Sequence, residues 1–195
     1  MHRLTTTFVL GYHGCDQYVA EQLLAGEPFQ KSKNDYDWLG PGIYFWEANP
    51  LRGLEFAAEL QNAFWGPEIT TPAVVGAIID LGLCLDLTTT AGIRQIRAAH
   101  ASYISNCEQT GDIIPTNSPD ENYLRRQLDC AVFMKLHQIR EDDEEQLVDT
   151  VRGVFVEGEP VYEGAGFRAK THIQICVCNT FNIKGVFRVS EEQLF

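Results

Sequence analysis

A chain of 195 residues, 45% hydrophobic and 22% charged, has the composition of an ordinary globular domain with enough apolar residues to bury a core. Its formal net charge of -12 argues against a general nucleic-acid binder, because phosphate contacts require a basic surface. With no apolar run of about 18 residues, and no basic-then-apolar signal layout in MHRLTTTFVLGYHG, a cytoplasmic protein without membrane contact is expected.

In chain order, Thr7–His13 is β-rich and short, a strand buried on both faces. Asp16–Leu24 reads as a helix, with Asp16 as N-cap and Gly26 just past its end. A polar loop over Glu27–Leu39 leads to a strand at Gly42–Trp46. Asn49-Pro50 then opens a helix reaching about Phe64. Ala73–Leu87 is a β-rich run broken near Gly82. Ala91–Cys107 and Tyr123–His137 carry apolar residues at helical spacing, separated by a loop over Gly111–Asp120. The acidic run Glu141–Gln146 is a solvated face or loop. Strands return at Gly153–Val156, Thr171–Cys178 and Phe181–Val189. Strands flanking a central helical block predict a single α+β domain over 1–195. The six cysteines fall within apolar patterns and lack metal-ligand spacing, so reduced thiols and no metal are expected.

Three separated pieces carry candidate chemistry. GYHGC (Gly11–Cys15) ends a strand at His13, and Gly14 lets the backbone approach a ligand closely. In GPGIYF (Gly40–Phe45) and the Trp46 that follows it, alternation puts Ile43 and Phe45 on one face, Tyr44 and Trp46 on the other. In THIQICV (Thr171–Val177), His172, Gln174 and Cys176 share a face opposite Ile173, Ile175 and Val177. Arg125, Arg126 and Asp129 read as a helix-surface group.

Taken in order, YHG, then G-x-G-I-Y-F with a following helix, then THIQICVCNTFNIKGVFRV resemble the ADP-ribosyltransferase fold, in its diphtheria toxin and poly(ADP-ribose) polymerase branch with a His-Tyr-Glu triad. The resemblance covers Gly11–Phe56 and Thr171–Val189; the central helical block has no counterpart in it. It implies a split antiparallel β-sandwich core, here with a central helical insertion, and NAD as substrate. It places His13 on the adenosine ribose, the Gly14 backbone on the nicotinamide carboxamide, and Tyr44 stacked on the nicotinamide ring. Phe56 becomes the candidate second stacking aromatic, and Arg52 the candidate contact to the carboxamide or a phosphate. At the third triad position this chain departs from the pattern. Matching N-I-K puts His172 there, and matching by strand face admits Gln174. Neither has the negative charge that an oxocarbenium-like transition state rewards. Glu163, in YEGAGFR, is the expected substitute carboxylate, with Glu159 and Glu47 behind it. The implied activity is mono-ADP-ribosyl transfer to a protein or nucleic-acid acceptor, in a bacterial or phage-type toxin or effector, with an inhibitory partner protein as one possibility. Polymerisation is disfavoured by the missing glutamate. The alternatives are a binding module for NAD or ADP-ribose, and an NAD glycohydrolase.

Overall fold

The β-rich N-terminal run forms β1 (Phe8–Asp16), which extends three residues past the expected end at His13. In this computed structural model, residues 8–63, 66–118 and 125–194 are described. Asp16 then caps α1 (Gln17–Leu24): one carboxylate oxygen accepts from the Tyr18 N–H at 2.8 Å. Its other oxygen accepts from the Thr70 and Thr71 N–H groups at 2.7 and 2.9 Å, tying this junction to the segment just before Pro72. Three backbone N–H donors hold the Asp16 carboxyl below the usual carboxylate range.

β2 (Ile43–Glu47) is followed by α2 (Pro50–Gln61), capped by Asn49 with Pro50 in its first turn. The expected helix end near Phe64 lies outside the described residues, as does the expected start of the second central helix at Tyr123. The apolar run divides into β3 (Pro72–Asp80) and β4 (Cys84–Asp86). The break is Gly82, whose φ of 54° suits glycine. α3 (Thr90–Thr110) runs from its Thr89 cap to Gly111, whose φ of 78° ends it in the left-handed conformation. α4 (Gln127–Asp142) extends into the acidic run.

β5 (Thr150–Phe155) begins three residues before the expected Gly153. Arg152 obscured that start, since a charge in a central strand reads as a break. Its guanidinium is neutralised by Glu47 at 2.6 and 3.0 Å and by Asp86 at 3.3 Å. β6 (His172–Val177) and β7 (Ile183–Arg188) complete the chain.

The result is an α+β arrangement: one seven-stranded sheet in the order β4-β5-β6-β2-β1-β3-β7. It is antiparallel at every junction except β4–β5, which is parallel. Ile43, Phe45, Ile79, Ile175 and Val177 form a fully buried cluster on one face. Burial of each such side chain stabilises the fold by about 1.5–3 kcal/mol. On the other face, α3 and α4 cover the β4–β5–β6 half through Ala99, Val132, Phe133 and Leu136, packed with Val151, Phe155 and Cys176. Among the described residues no helix is long and apolar enough to cross a membrane.

The sheet narrows at one junction, and this positions the site. β1 pairs with β3 along its whole length, from Phe8↔Asp80 to Asp16↔Pro72. With β2 it pairs only at Gly11↔Glu47 and Tyr12↔Trp46. Beyond Tyr12 the two strands part. β2 stays with β6 because Gly42 presses against it: a Cβ there would lie 2.4 Å from Cys176 Sγ and 2.8 Å from the Val177 carbonyl oxygen.

Candidate functional site

The opened β1–β2 seam borders a cavity of about 550 Å³, within the size range of small-molecule and cofactor clefts. Gly14 and Tyr44 would be the next hydrogen-bonding pair after Tyr12↔Trp46. Their positions follow from ladder parity. Gln17 donates its N–H to the Thr71 carbonyl at 2.8 Å, so the odd residues of β1 pair toward β3. The even ones point toward β2, as the Leu10 carbonyl does in accepting from the Ala48 N–H at 2.9 Å. The Gly14 N–H and C=O therefore point into the seam.

His13 bridges that seam. Its imidazole Nδ1–H donates to the Tyr44 carbonyl at 2.9 Å, taking an acceptor that backbone pairing with Gly14 would have used. This fixes the tautomer and leaves Nε2 as an acceptor. Burial outweighs that hydrogen bond and lowers the His13 pKa, so the ring is neutral at physiological pH. Phe29 fills the space beside it, edge-on to both His13 (5.4 Å between centroids) and Phe45 (5.3 Å).

Tyr44 borders the cavity, while its hydroxyl serves the turn before it. It accepts from the Leu39 N–H at 2.8 Å and donates to the Gly40 carbonyl at 2.7 Å. Gly40 has φ 80°, so this clasp holds a turn that favours glycine. Trp46, on the same face, lies 4.9 Å from Phe56 of α2, centroid to centroid. Arg52 of α2 is buried, with its guanidinium carbon 6.0 Å from each of these two rings. Its terminal nitrogens donate to Glu59 at 3.2 and 3.4 Å, and Lys170 Nζ reaches the same carboxylate at 2.9 Å.

The sequence candidates divide as follows. His13, Gly14, Tyr44, Arg52, Phe56 and Gln174 all border the cavity. Gln174 pairs with Trp46 on β2 and with Gly153 on β5, and is buried. His172 lies one step further back, buried between Phe155 (5.7 Å, stacked) and Trp46 (6.2 Å). Its Nδ1–H donates to the Lys170 carbonyl at 2.7 Å, and burial lowers its pKa.

Glu163 is not brought to the cavity. It is exposed on the segment 158–169, which is closed at its base by Lys170 N–H to the Glu157 carbonyl and Ala169 N–H to the Glu159 carbonyl, both 2.9 Å. That closure holds Glu163 away from the seam. Glu159 is exposed on the same segment, and Glu47 is paired with Arg152. Five carboxylates do border the cavity, Asp16, Asp37, Glu59, Glu68 and Glu157, and of these Glu157 lies nearest β6, with about 10% of its side chain exposed. Sequence reading missed it, although Val151, Gly153 and Phe155 share the face of Cys176, Gln174 and His172. Counting two residues further along that parity gives Glu157. Burial raises its pKa against the pull of Arg52 and Arg126.

Arg126, expected within the helix as part of a surface pair, stands at the N-cap of α4 and pairs with Asp129 at 3.6 Å, and its guanidinium also lies 4.1 Å from the Trp38 ring centroid. A smaller recess of about 270 Å³ is bordered by Lys31, His137, Asp149 and Cys178. Among the described residues no group of three His, Cys, Asp or Glu side chains is placed to hold a metal ion. No family model matches the chain, and no curated protein or solved structure matches it either.

Proposed function

We propose that this chain is an NAD-dependent mono-ADP-ribosyltransferase with the ADP-ribosyltransferase fold, its site in the β1–β2 seam. The observation that carries the reading is the seam itself. The Gly14 N–H and C=O point into it, His13 is held in one neutral tautomer across it, and Tyr44 stands alongside. A primary carboxamide both donates and accepts, so it complements one backbone N–H and C=O pair. In this reading the nicotinamide amide binds Gly14 and its ring rests on Tyr44, with Trp46 and Phe56 as the far aromatic wall. His13 Nε2 accepts from a ribose hydroxyl, and Gln174 hydrogen-bonds the other ribose. The sheet is continuous through this junction, and the two-residue β1–β2 pairing is where a split of that sheet would fall.

The reaction breaks the bond from ribose C1′ to the nicotinamide nitrogen, whose electron pair leaves with neutral nicotinamide. The ribosyl cation is then captured by a nucleophile on a macromolecular acceptor, which loses a proton. The site contributes orientation and water exclusion, and effects of that kind reach several kcal/mol. The toxin or effector context is part of the proposal, as is the identity of the acceptor.

The test is nicotinamide release from NAD by the purified chain, with and without candidate protein and RNA acceptors. Release is expected, falling by at least about 100-fold in Tyr44→Ala and His13→Ala, the scale of losing one preorganised contact. Release without acceptor labelling would make the enzyme a glycohydrolase. NAD binding without release under any condition would make it a binding module.

A further inference from the structure

Four buried side-chain atoms have no hydrogen-bond partner among the described residues: Trp46 Nε1, Arg52 Nε, Glu157 Oε1 and His172 Nε2. A buried polar atom without a partner calls for a ligand, an ion or a water, and four on neighbouring side chains point to one shared polar site. They do form one group. His172 Nδ1 lies 3.8 Å from Glu157 Oε2, the His172 and Trp46 rings are 6.2 Å apart, and the Arg52 guanidinium carbon is 6.0 Å from the Trp46 ring. Trp46, Arg52 and Glu157 also border the cavity. The set is chemically mixed. Trp46 and Arg52 offer N–H donors, whereas Glu157 and His172 offer acceptors, since the His172 Nδ1–H is already donated to Lys170. A group with hydroxyls, each able to donate and accept, satisfies both kinds.

The other carboxylates bordering the cavity are committed elsewhere or exposed. Asp16 caps α1 and accepts from Thr70 and Thr71. Asp37 accepts from Ser32 and Asn34. Glu59 is shared by Arg52 and Lys170, and Glu68 is exposed. Glu157 alone among them presents a desolvated carboxylate oxygen without a partner.

We propose that Glu157, at the end of β5, is the catalytic carboxylate of this site, taking the place left by His172 and Gln174 on β6. This rests on the transferase reading above. Glu157 Oε1 accepts a hydroxyl hydrogen of the nicotinamide-side ribose, and its negative charge stabilises the cation that forms as the bond to nicotinamide breaks. His172 lies 3.8 Å from the other Glu157 oxygen without a hydrogen bond to it, its Nδ1–H being given to the Lys170 carbonyl.

The experiment is steady-state nicotinamide release by the full chain and by Glu157→Gln, with melting curves to confirm folding and calorimetric binding of NAD to both. The glutamine keeps the shape and removes the charge. A fall in kcat of at least about 100-fold with KM within about threefold is expected. Glu157→Ala supplies a second readout, because sodium formate can occupy the vacated volume and restore at least about tenfold of the lost rate. A folded Glu157→Gln with wild-type kcat, or a change in KM alone, overturns the role of Glu157 and leaves the transferase reading standing. A folded Glu157→Ala that formate does not restore overturns it too. Absence of release by the wild-type chain overturns both.

Discussion

Gly14→Ala is expected to destabilise the protein by about 3 kcal/mol, at the upper end of overpacking substitutions. A Cβ at this position would lie 2.0 Å from the Gly53 carbonyl oxygen and 3.0 Å from its carbonyl carbon. Those atoms are backbone of α2, so no side chain can rotate away. The helix would have to lift from β1, taking Ala57 with it, which is fully buried. Urea denaturation against a Gly166→Ala reference checks this. An added Cβ at Gly166 meets nothing within 4 Å, so that variant should stay within about 0.5 kcal/mol of wild type. A Gly14→Ala stability equally close to wild type would mean that α2 is not seated on β1 as described. In the sequence this glycine reads as access for a ligand. In the fold it has a second reason, close strand–helix contact, and the two coexist because its Cβ direction faces α2 while its N–H and C=O face the seam.

Arg52→Ala is expected to cost a similar amount, about 3 kcal/mol at pH 7.5. Removing the buried guanidinium strands the charges it compensates: half-exposed Glu59, its ion-pair partner, recovers part of that loss through solvent, and buried Glu157, which feels the same cation without pairing to it, cannot. The sign with pH follows from Glu157. Burial raises its folded pKa above the unfolded value, so its charge costs stability above that folded pKa, and the cost is relieved as pH falls through it. Without Arg52 the carboxyl loses a stabilising cation and the raise is larger. The deficit of Arg52→Ala relative to wild type should therefore shrink between pH 7.5 and pH 5. Combining it with Glu157→Gln should cost less than the sum of the two single changes, because the buried charge that needed compensation is gone. Thermal melts of the four proteins at both pH values measure this. A deficit that is constant with pH and strictly additive would show that Arg52 acts through packing on Trp46 and Phe56 alone.

The sequence made some of this site legible and hid the rest for identifiable reasons. Alternation in GPGIYF separated Tyr44 and Trp46 from Ile43 and Phe45, and the pairing of β2 with β6 follows that parity. The His-Gly strand end pointed to backbone access at Gly14, but not to the His13 bridge across to Tyr44, which depends on two strands parting after Tyr12. The sequence points to a substitute carboxylate next to β6 in the chain, where Glu163 stands. Proximity in sequence failed because residues 158–169 form a segment closed at its base by Glu157 and Lys170. The base holds Glu157 beside β6, and the remainder carries Glu163 away. Finding Glu157 required the start of β5, and Arg152 concealed that start until Glu47 and Asp86 were seen to neutralise it.

Under the transferase proposal, the β1–β2 seam receives nicotinamide. Amide and indole N–H resonances of the ¹⁵N-labelled chain, followed while nicotinamide and then NAD are added, test this. Saturable shifts at the Gly14 amide and the Trp46 indole are predicted, with the residues around Cys178 and His137 unmoved. Shifts confined to that smaller recess, or none at Gly14 up to millimolar ligand, would contradict it.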